Sequence, residues 1–213
     1  MRTDSLQQTA SAILVLVALA LGGCATMNED ECRTVDWRTV GYEDGVAGYS
    51  GDRIGQHRKA CAEYGVSPDL GLYQEGRDQG LHEYCRPANG YRLGANGAGY
   101  GGTCPADIEG DFLNAYESGR QLYTLESRVS DAADQLQSKR RELNRVEDDI
   151  VKKSATVVGG DSSTADRAQA LVDAKQLAER AGRLKAEIAQ LERDRARFEQ
   201  DLESYRAANP TSG

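Results

Sequence analysis

The chain has 213 residues and only two histidines, and each histidine precedes a cysteine at helical spacing. His57 lies four residues before Cys61, and His82 three before Cys85. On helices both pairs would share a face. Together they form a Cys₂His₂ set, the ligand count of a structural zinc site. Cys32 and Cys104 would then be left without partners, and an even number of cysteines in an exported chain favours disulfides. The expectation is therefore two bridges with incidental histidines, no metal and no cofactor. A Cys–His nucleophile drawn from His57 and Cys61 has no supporting signature, and a disulfide would remove its thiolate. Glu43 and Asp44 could suggest a carboxylate pair, but neighbours on a helix diverge by about 100°. No catalytic residues are expected, and the protein reads as not an enzyme.

Polar side chains bunch between residues 44 and 58. Asp44, Asp52, Arg53, Gln56, His57 and Arg58 form the best candidate recognition surface, with Gly48 to Arg53 read as a loop between two helices, a common place for binding groups. The plainer alternative is a capped turn in which Asp52 and Arg53 serve local structure. The Gly-rich stretch from Asn89 to Gly102 is a poor phosphate cradle: it lacks Gly-Lys-Ser/Thr, and no expected strand feeds it into a helix N-terminus.

The N-terminus carries a different chemistry. Ile13 to Leu21 is an unbroken apolar run, too short for the roughly 20 residues that span a bilayer, and it ends on Leu21-Gly22-Gly23-Cys24. This string resembles the bacterial lipobox. The resemblance implies a cleaved signal peptide (1–23) and a lipidation site at Cys24, with a diacylglyceryl group and often an N-acyl chain such as palmitate. Two or three chains anchor a protein stably where one does not. Ala25 follows the cysteine instead of the aspartate that retains many such lipoproteins at the inner membrane, so the expected location is the periplasmic face of the outer membrane.

The net charge of −8 and the absence of a basic stripe disfavour a nucleic-acid partner. After Cys24 the cysteines are Cys32, Cys61, Cys85 and Cys104, which allow three disulfide connectivities. We favour Cys85–Cys104, closing a Gly-rich loop, which leaves Cys32 with Cys61.

The elements that must position these residues fall into two regimes meeting near residue 125. The first is rich in Gly, Tyr and Cys and repeats Tyr-x-x-Gly at residues 42–45, 73–76, 91–94 and 116–119. Asp36, Asp52 and Asp69 offer helix N-caps. Interior glycines cost about 1 kcal/mol each against alanine, so their recurrence points to close helix–helix packing with tyrosine rings alongside. Asn89-Gly90 and Asn96-Gly97 suggest a short hairpin or ordered loop between Cys85 and Cys104. The second regime shows heptads, from Leu122 to Ile150 and from Ala170 to Tyr205, interrupted at Lys139 and Arg195 and broken at Val158 to Asp161. The expected fold is mainly α: an acylated leader (24–31), a small Gly/Tyr-rich disulfide-stapled helical head (32–125), a long antiparallel two-helix coiled-coil hairpin (126–208) and a short tail (209–213). Parallel self-association of the heptads is the rival arrangement.

Several strings also resemble a known family. They are Cys32 … Asp36-Trp37 … Gly41-Tyr42-Glu43-Asp44-Gly45, then Arg53-Ile54-Gly55-Gln56-His57-Arg58-Lys59-Ala60-Cys61. Tyr73-x-x-Gly76-x-x-x-Gly80-Leu81 … Tyr84-Cys85, Asn89-Gly90-Tyr91 and Gly99-Tyr100 … Cys104-Pro105 follow. In order, these are similar to the proteobacterial lipoprotein family with domain of unknown function 2799, over roughly residues 28–128. The resemblance implies an envelope lipoprotein and no activity. Two functions follow as expectations: a non-catalytic interaction or scaffold module, or a peptidoglycan- or glycan-binding module. Candidate partners are the outer membrane, an envelope protein, peptidoglycan, or a second copy through the coiled coil. Mass spectrometry under non-reducing conditions should show the mature chain lighter by four hydrogens than its reduced form; stoichiometric zinc would overturn the disulfide assignment.

Overall fold

A computed structural model describes residues 27–209, and Cys24 with the leading segment lies outside these described residues. Seven helices make up the regular structure, with no strand among the described residues: α1 (Glu29–Thr34), α2 (Trp37–Val46), α3 (Arg53–Ala62), α4 (Leu70–Tyr84), α5 (Pro87–Ala95), α6 (Ala106–Val158) and α7 (Thr164–Ala208). No described helix is long and apolar enough to cross a membrane. The described residues divide into two compact units, residues 27–86 with 101–109, and residues 87–100 with 110–209.

Helix starts follow the sequence closely. Asp36 accepts from the Arg38 amide, Asp69 from the Leu72 amide, and Ser163 forms a capping box with Asp166. Asp52 precedes α3 without a side-chain cap bond. The stretch after Cys85 departs from expectation. Asn89-Gly90 lies inside α5 instead of in a turn, and only Asn96-Gly97 ends an element, with Gly97 at φ 70°. The ordered loop is confined to the residues between α5 and α6.

In the first unit, α2 and α4 pack side by side through facing glycines. A Cβ on Gly41 would sit 2.0 Å from the Tyr73 carbonyl oxygen, and one on Gly76 1.9 Å from that of Arg38. Gly45 meets the Arg77 carbonyl at 2.3 Å and Gly80 that of Tyr42 at 2.2 Å. Contacts advance in the same direction along both helices, so the pair is parallel. Backbone meets backbone here, and no side chain fits between.

The second unit repeats this arrangement with α5 and the first turns of α6. Gly90 meets the Phe112 carbonyl at 2.5 Å, Gly94 that of Tyr116 at 2.1 Å, and Gly119 that of Tyr91 at 2.1 Å. The correspondence extends to the helix ends. Gly48 (φ 74°) and Gly97 (φ 70°) are left-handed, and a Cβ on either would strike a ring, of Tyr84 or Tyr123 respectively. The same two backbone bonds close both ends: the Gly48 amide to Gly45 and the Tyr49 amide to Asp44, matched by Gly97 to Gly94 and Ala98 to Leu93. Three copies of Tyr-x-x-Gly occupy one phase of this repeat; Tyr73-x-x-Gly76 is offset along its helix by one zipper position.

Two disulfides staple the first unit, Cys32–Cys61 with Cα atoms 5.5 Å apart and Cys85–Cys104 at 5.7 Å. Around the former, Met27, Trp37 and Tyr73 build the core, with Val35, Ile54 and Tyr64 packed against it.

From residue 110 onward α6 and α7 form an antiparallel hairpin. Partners on α7 fall in number as those on α6 rise: Glu126–Arg206, Arg140–Glu192, Glu147–Lys185 and Lys153–Asp173. Ala132, Leu136 and Val146 of α6, with Ala170, Ala181, Leu184 and Leu202 of α7, are the buried seam. Lys139 interrupts that seam and pairs with Glu187 at 2.6 Å, which raises its pKa through the hydrogen bond. Helices of 53 and 45 residues extend about 80 and 68 Å at the usual rise.

Glycines with and without neighbours should respond oppositely to alanine. Gly45→Ala or Gly94→Ala forces the helices apart and should cost about 1–3 kcal/mol or more. Gly182→Ala, where a Cβ meets nothing within 4 Å, should stabilise by about 0.5–1 kcal/mol. Urea unfolding of each variant checks both signs.

Candidate functional site

The residues expected to form a recognition surface separate in the structure. Asp52, Gln56 and Arg58 are exposed and Arg53 is half-buried, but Asp44 and His57 are buried at 7% and 5% exposure. Asp44 and His57 are therefore corrected from surface groups to interior ones. Helical spacing explains the split: Asp44 shares the inward face of α2 with Gly41 and Gly45, while Glu43 points to solvent.

The buried groups meet. Asp44 Oδ2 accepts two hydrogen bonds, from the Tyr73 hydroxyl at 2.8 Å and from His57 Nε2 at 2.8 Å. Its other oxygen faces the Arg53 Nε at 3.8 Å. The Trp37 and Tyr73 rings lie against the imidazole, with centroids 6.4 and 6.2 Å away. Arg53 stacks over the Tyr49 ring at 4.5 Å and donates to Gln56, and Arg77 donates to the Tyr49 carbonyl at 3.0 Å. One carboxylate thus joins α2, α3 and α4. Burial, then the hydrogen bond to Asp44, pushes the Tyr73 hydroxyl well above the usual tyrosine range, which keeps it a donor.

This geometry braces three helices against one another. Tyr73 and His57 share one acceptor oxygen, so the imidazole is not placed to take the phenolic proton. His57 Nδ1 is buried without a hydrogen-bond partner, so no further group orients the ring in the manner of a triad. Cys61, beside His57 in sequence, is sealed in its disulfide. His82 is exposed, and Cys85 is bonded to Cys104; the Cys₂His₂ set does not assemble, and no cluster of metal-ligating side chains occurs among the described residues.

The second zippered pair reveals what the packing itself requires. At the place of Asp44 it has Leu93, and at that of Tyr73 it has Phe112, which is fully buried under Tyr100 with ring centroids 4.8 Å apart. The same backbone approach therefore stands on an apolar filling. Tyr73 was the participant that sequence reading missed; its position three residues before Gly76, facing the zipper, was the available signal.

Residues 36–121 match a family model described as Protein of unknown function (DUF2799). That stretch runs from the cap of α2 to just beyond Gly119, the last zipper glycine, and so takes in both helix pairs. It bears out the resemblance to domain of unknown function 2799 over these residues. No curated protein and no solved structure matches the chain.

Removing Asp44 alone should be far more damaging than replacing the network. Asp44→Ala strands His57 Nε2 and the Tyr73 hydroxyl and should cost about 2–4 kcal/mol; Asp44→Leu with Tyr73→Phe, the pair used in the second repeat, should recover a substantial part. Because the folded pKa of Tyr73 lies above its unfolded value near 10.0, the stability tied to its hydroxyl is present below that pH and is lost as pH rises beyond it. Denaturant titrations between pH 7 and 11 should show a shallower alkaline loss in Tyr73→Phe than in the parent.

Proposed function

We propose that this protein is a non-catalytic cell-envelope lipoprotein that serves as an interaction or scaffold module, held at the periplasmic face of the outer membrane by acyl chains on Cys24. The observation that carries the reading is the α6–α7 hairpin. Nearly half the chain is spent on two paired helices, and interhelical ion pairs fix their register. Such a rod offers long, exposed faces to a partner. The zippered region supports the same reading. Its buried polar cluster is closed, its cysteines are oxidised, and its close packing makes a rigid base of the kind a binding surface needs.

Exposed rings favour a second reading. Tyr42 and Tyr49, at 42% and 46% exposure in the first unit, offer ring surface to a sugar, Tyr49 on the face that Arg53 leaves open, as a peptidoglycan- or glycan-binding module would require.

Photo-crosslinking residues placed along the hairpin and at Tyr42 and Tyr49, in the native envelope, separate the two. Protein adducts from the hairpin are expected. Adducts confined to the tyrosines, with co-sedimentation on purified peptidoglycan, would replace the scaffold reading by the glycan reading. Cys24→Ala should abolish palmitate labelling and release the chain from the membrane fraction.

A further inference from the structure

The first unit begins almost where the anchor of the proposed lipoprotein ends. Met27 is buried, in one cluster with Cys32, Trp37, Cys61 and Tyr73. Only Ala25 and Thr26 stand between it and Cys24, and three residue steps span at most about 11 Å. Directly after Met27, Asn28 forms a capping box with Glu31, and the Cys32–Cys61 disulfide ties α1 to α3. The tether is therefore short, and its far end is built into the core. Acyl chains on Cys24 would hold Met27 within that distance of the lipid headgroups.

One end of the unit gathers around Met27. Trp37 opens α2 and Tyr73 sits one turn into α4; the Arg38–Glu75 ion pair at 2.6 Å holds these two starts side by side. Arg33 donates to the Tyr64 carbonyl at 3.2 Å, drawing the stretch after α3 against α1. At the same end, Leu70 and Leu72 in the first turn of α4 are exposed at 44% and 38%. Side chains tilt toward a helix's N-terminus, so both lean past the start of α4. Scattered exposed leucines need no explanation by themselves, but these two lie at the end that carries the tether. Charge narrows the kind of surface. Glu29, Asp30, Glu31, Glu63 and Asp69 are exposed at this end, against Arg33, itself paired with Glu29. An anionic lipid surface repels such an end, whereas a zwitterionic one offers it ammonium groups. We propose that the α1 end of the first unit rests on a zwitterionic bilayer, with Leu70 and Leu72 entering the headgroup layer. The inference deepens the lipoprotein reading and rests on acylation of Cys24. Cys85, at the opposite end of the 15-residue α4, is then lifted up to about 22 Å from the lipid.

Fluorescence quenching of the full acylated chain, in phosphatidylcholine vesicles that carry a headgroup nitroxide, tests this. A bimane on Leu70→Cys or Leu72→Cys should be quenched at least threefold more than one on Tyr49→Cys, an exposed position beyond the other end of α2. Leu70→Glu with Leu72→Glu should lower the quenching of a label on Ser67→Cys at least twofold. Both leucines are exposed, and unchanged helicity by circular dichroism verifies the fold. Replacing half of the lipid by phosphatidylglycerol should lower the Ser67 signal as well. Equal quenching at the two ends, a Ser67 label indifferent to the leucines, or quenching that rises with phosphatidylglycerol overturns the docking. In each of these cases a vesicle-bound, acylated chain leaves the lipoprotein reading standing. A chain recovered without acyl groups on Cys24 and free of the vesicles removes both.

Discussion

Backbone-to-backbone contact between glycine-bearing helices is the constraint on which residues 36–120 depend. Placing a carbonyl about 2 Å from where a Cβ would stand leaves no room for any residue but glycine at Gly41, Gly45, Gly76 and Gly80, or at Gly94 and Gly119. That demand sets the composition of the region. It also explains the aromatic content: with the interface emptied of side chains, tyrosine and phenylalanine fill the margins and the capped ends. The helices tolerate the propensity penalty of glycine because packing supplies what the isolated segments lack.

Much of this was legible in the sequence, and for physical reasons. The recurrence of glycine at steps of four marks a helix face, and Asp36, Asp69 and Ser163 announce helix starts because their oxygens satisfy free amides. Heptads from Leu122 onward give the hairpin, since only a continuous apolar stripe holds two such helices together. What stayed hidden was the pairing. Tyr-x-x-Gly read as a four-fold motif conceals that one copy is out of phase, and that the unit of repetition is a pair of helices, separated in sequence by α3 in the first copy and consecutive in the second. Asn89-Gly90 misled because a strong turn dipeptide can be overruled when its glycine is needed at a helix contact. The interior status of Asp44 was readable from Gly41 and Gly45 on its face; its partner His57 was not, since nothing local says which way a polar residue on α3 points.

The two helix pairs act as an internal control on the polar cluster. One interface is lined by Asp44 and Tyr73, the other by Leu93 and Phe112, with equivalent backbone geometry. Polar groups inside the first are thus not a requirement of the zipper. They add something the apolar version lacks: a carboxylate can bind only partners that reach it with a donor, and His57 is the donor that fixes α3 against the pair. Hydrogen bonding here selects a specific arrangement of three helices where apolar filling would accept several.

The disulfides acquire a further meaning beside these glycines. Short helices rich in glycine do not persist alone in water, and the loops closed by Cys32–Cys61 and Cys85–Cys104 span 29 and 19 residues, each bridge removing about 3–4 kcal/mol of chain entropy from the unfolded state. Before oxidation, then, the unfolded state of the first unit competes more strongly with the folded one. Oxidation afterwards acts as a latch. A unit built this way couples its folding to the redox state of its surroundings.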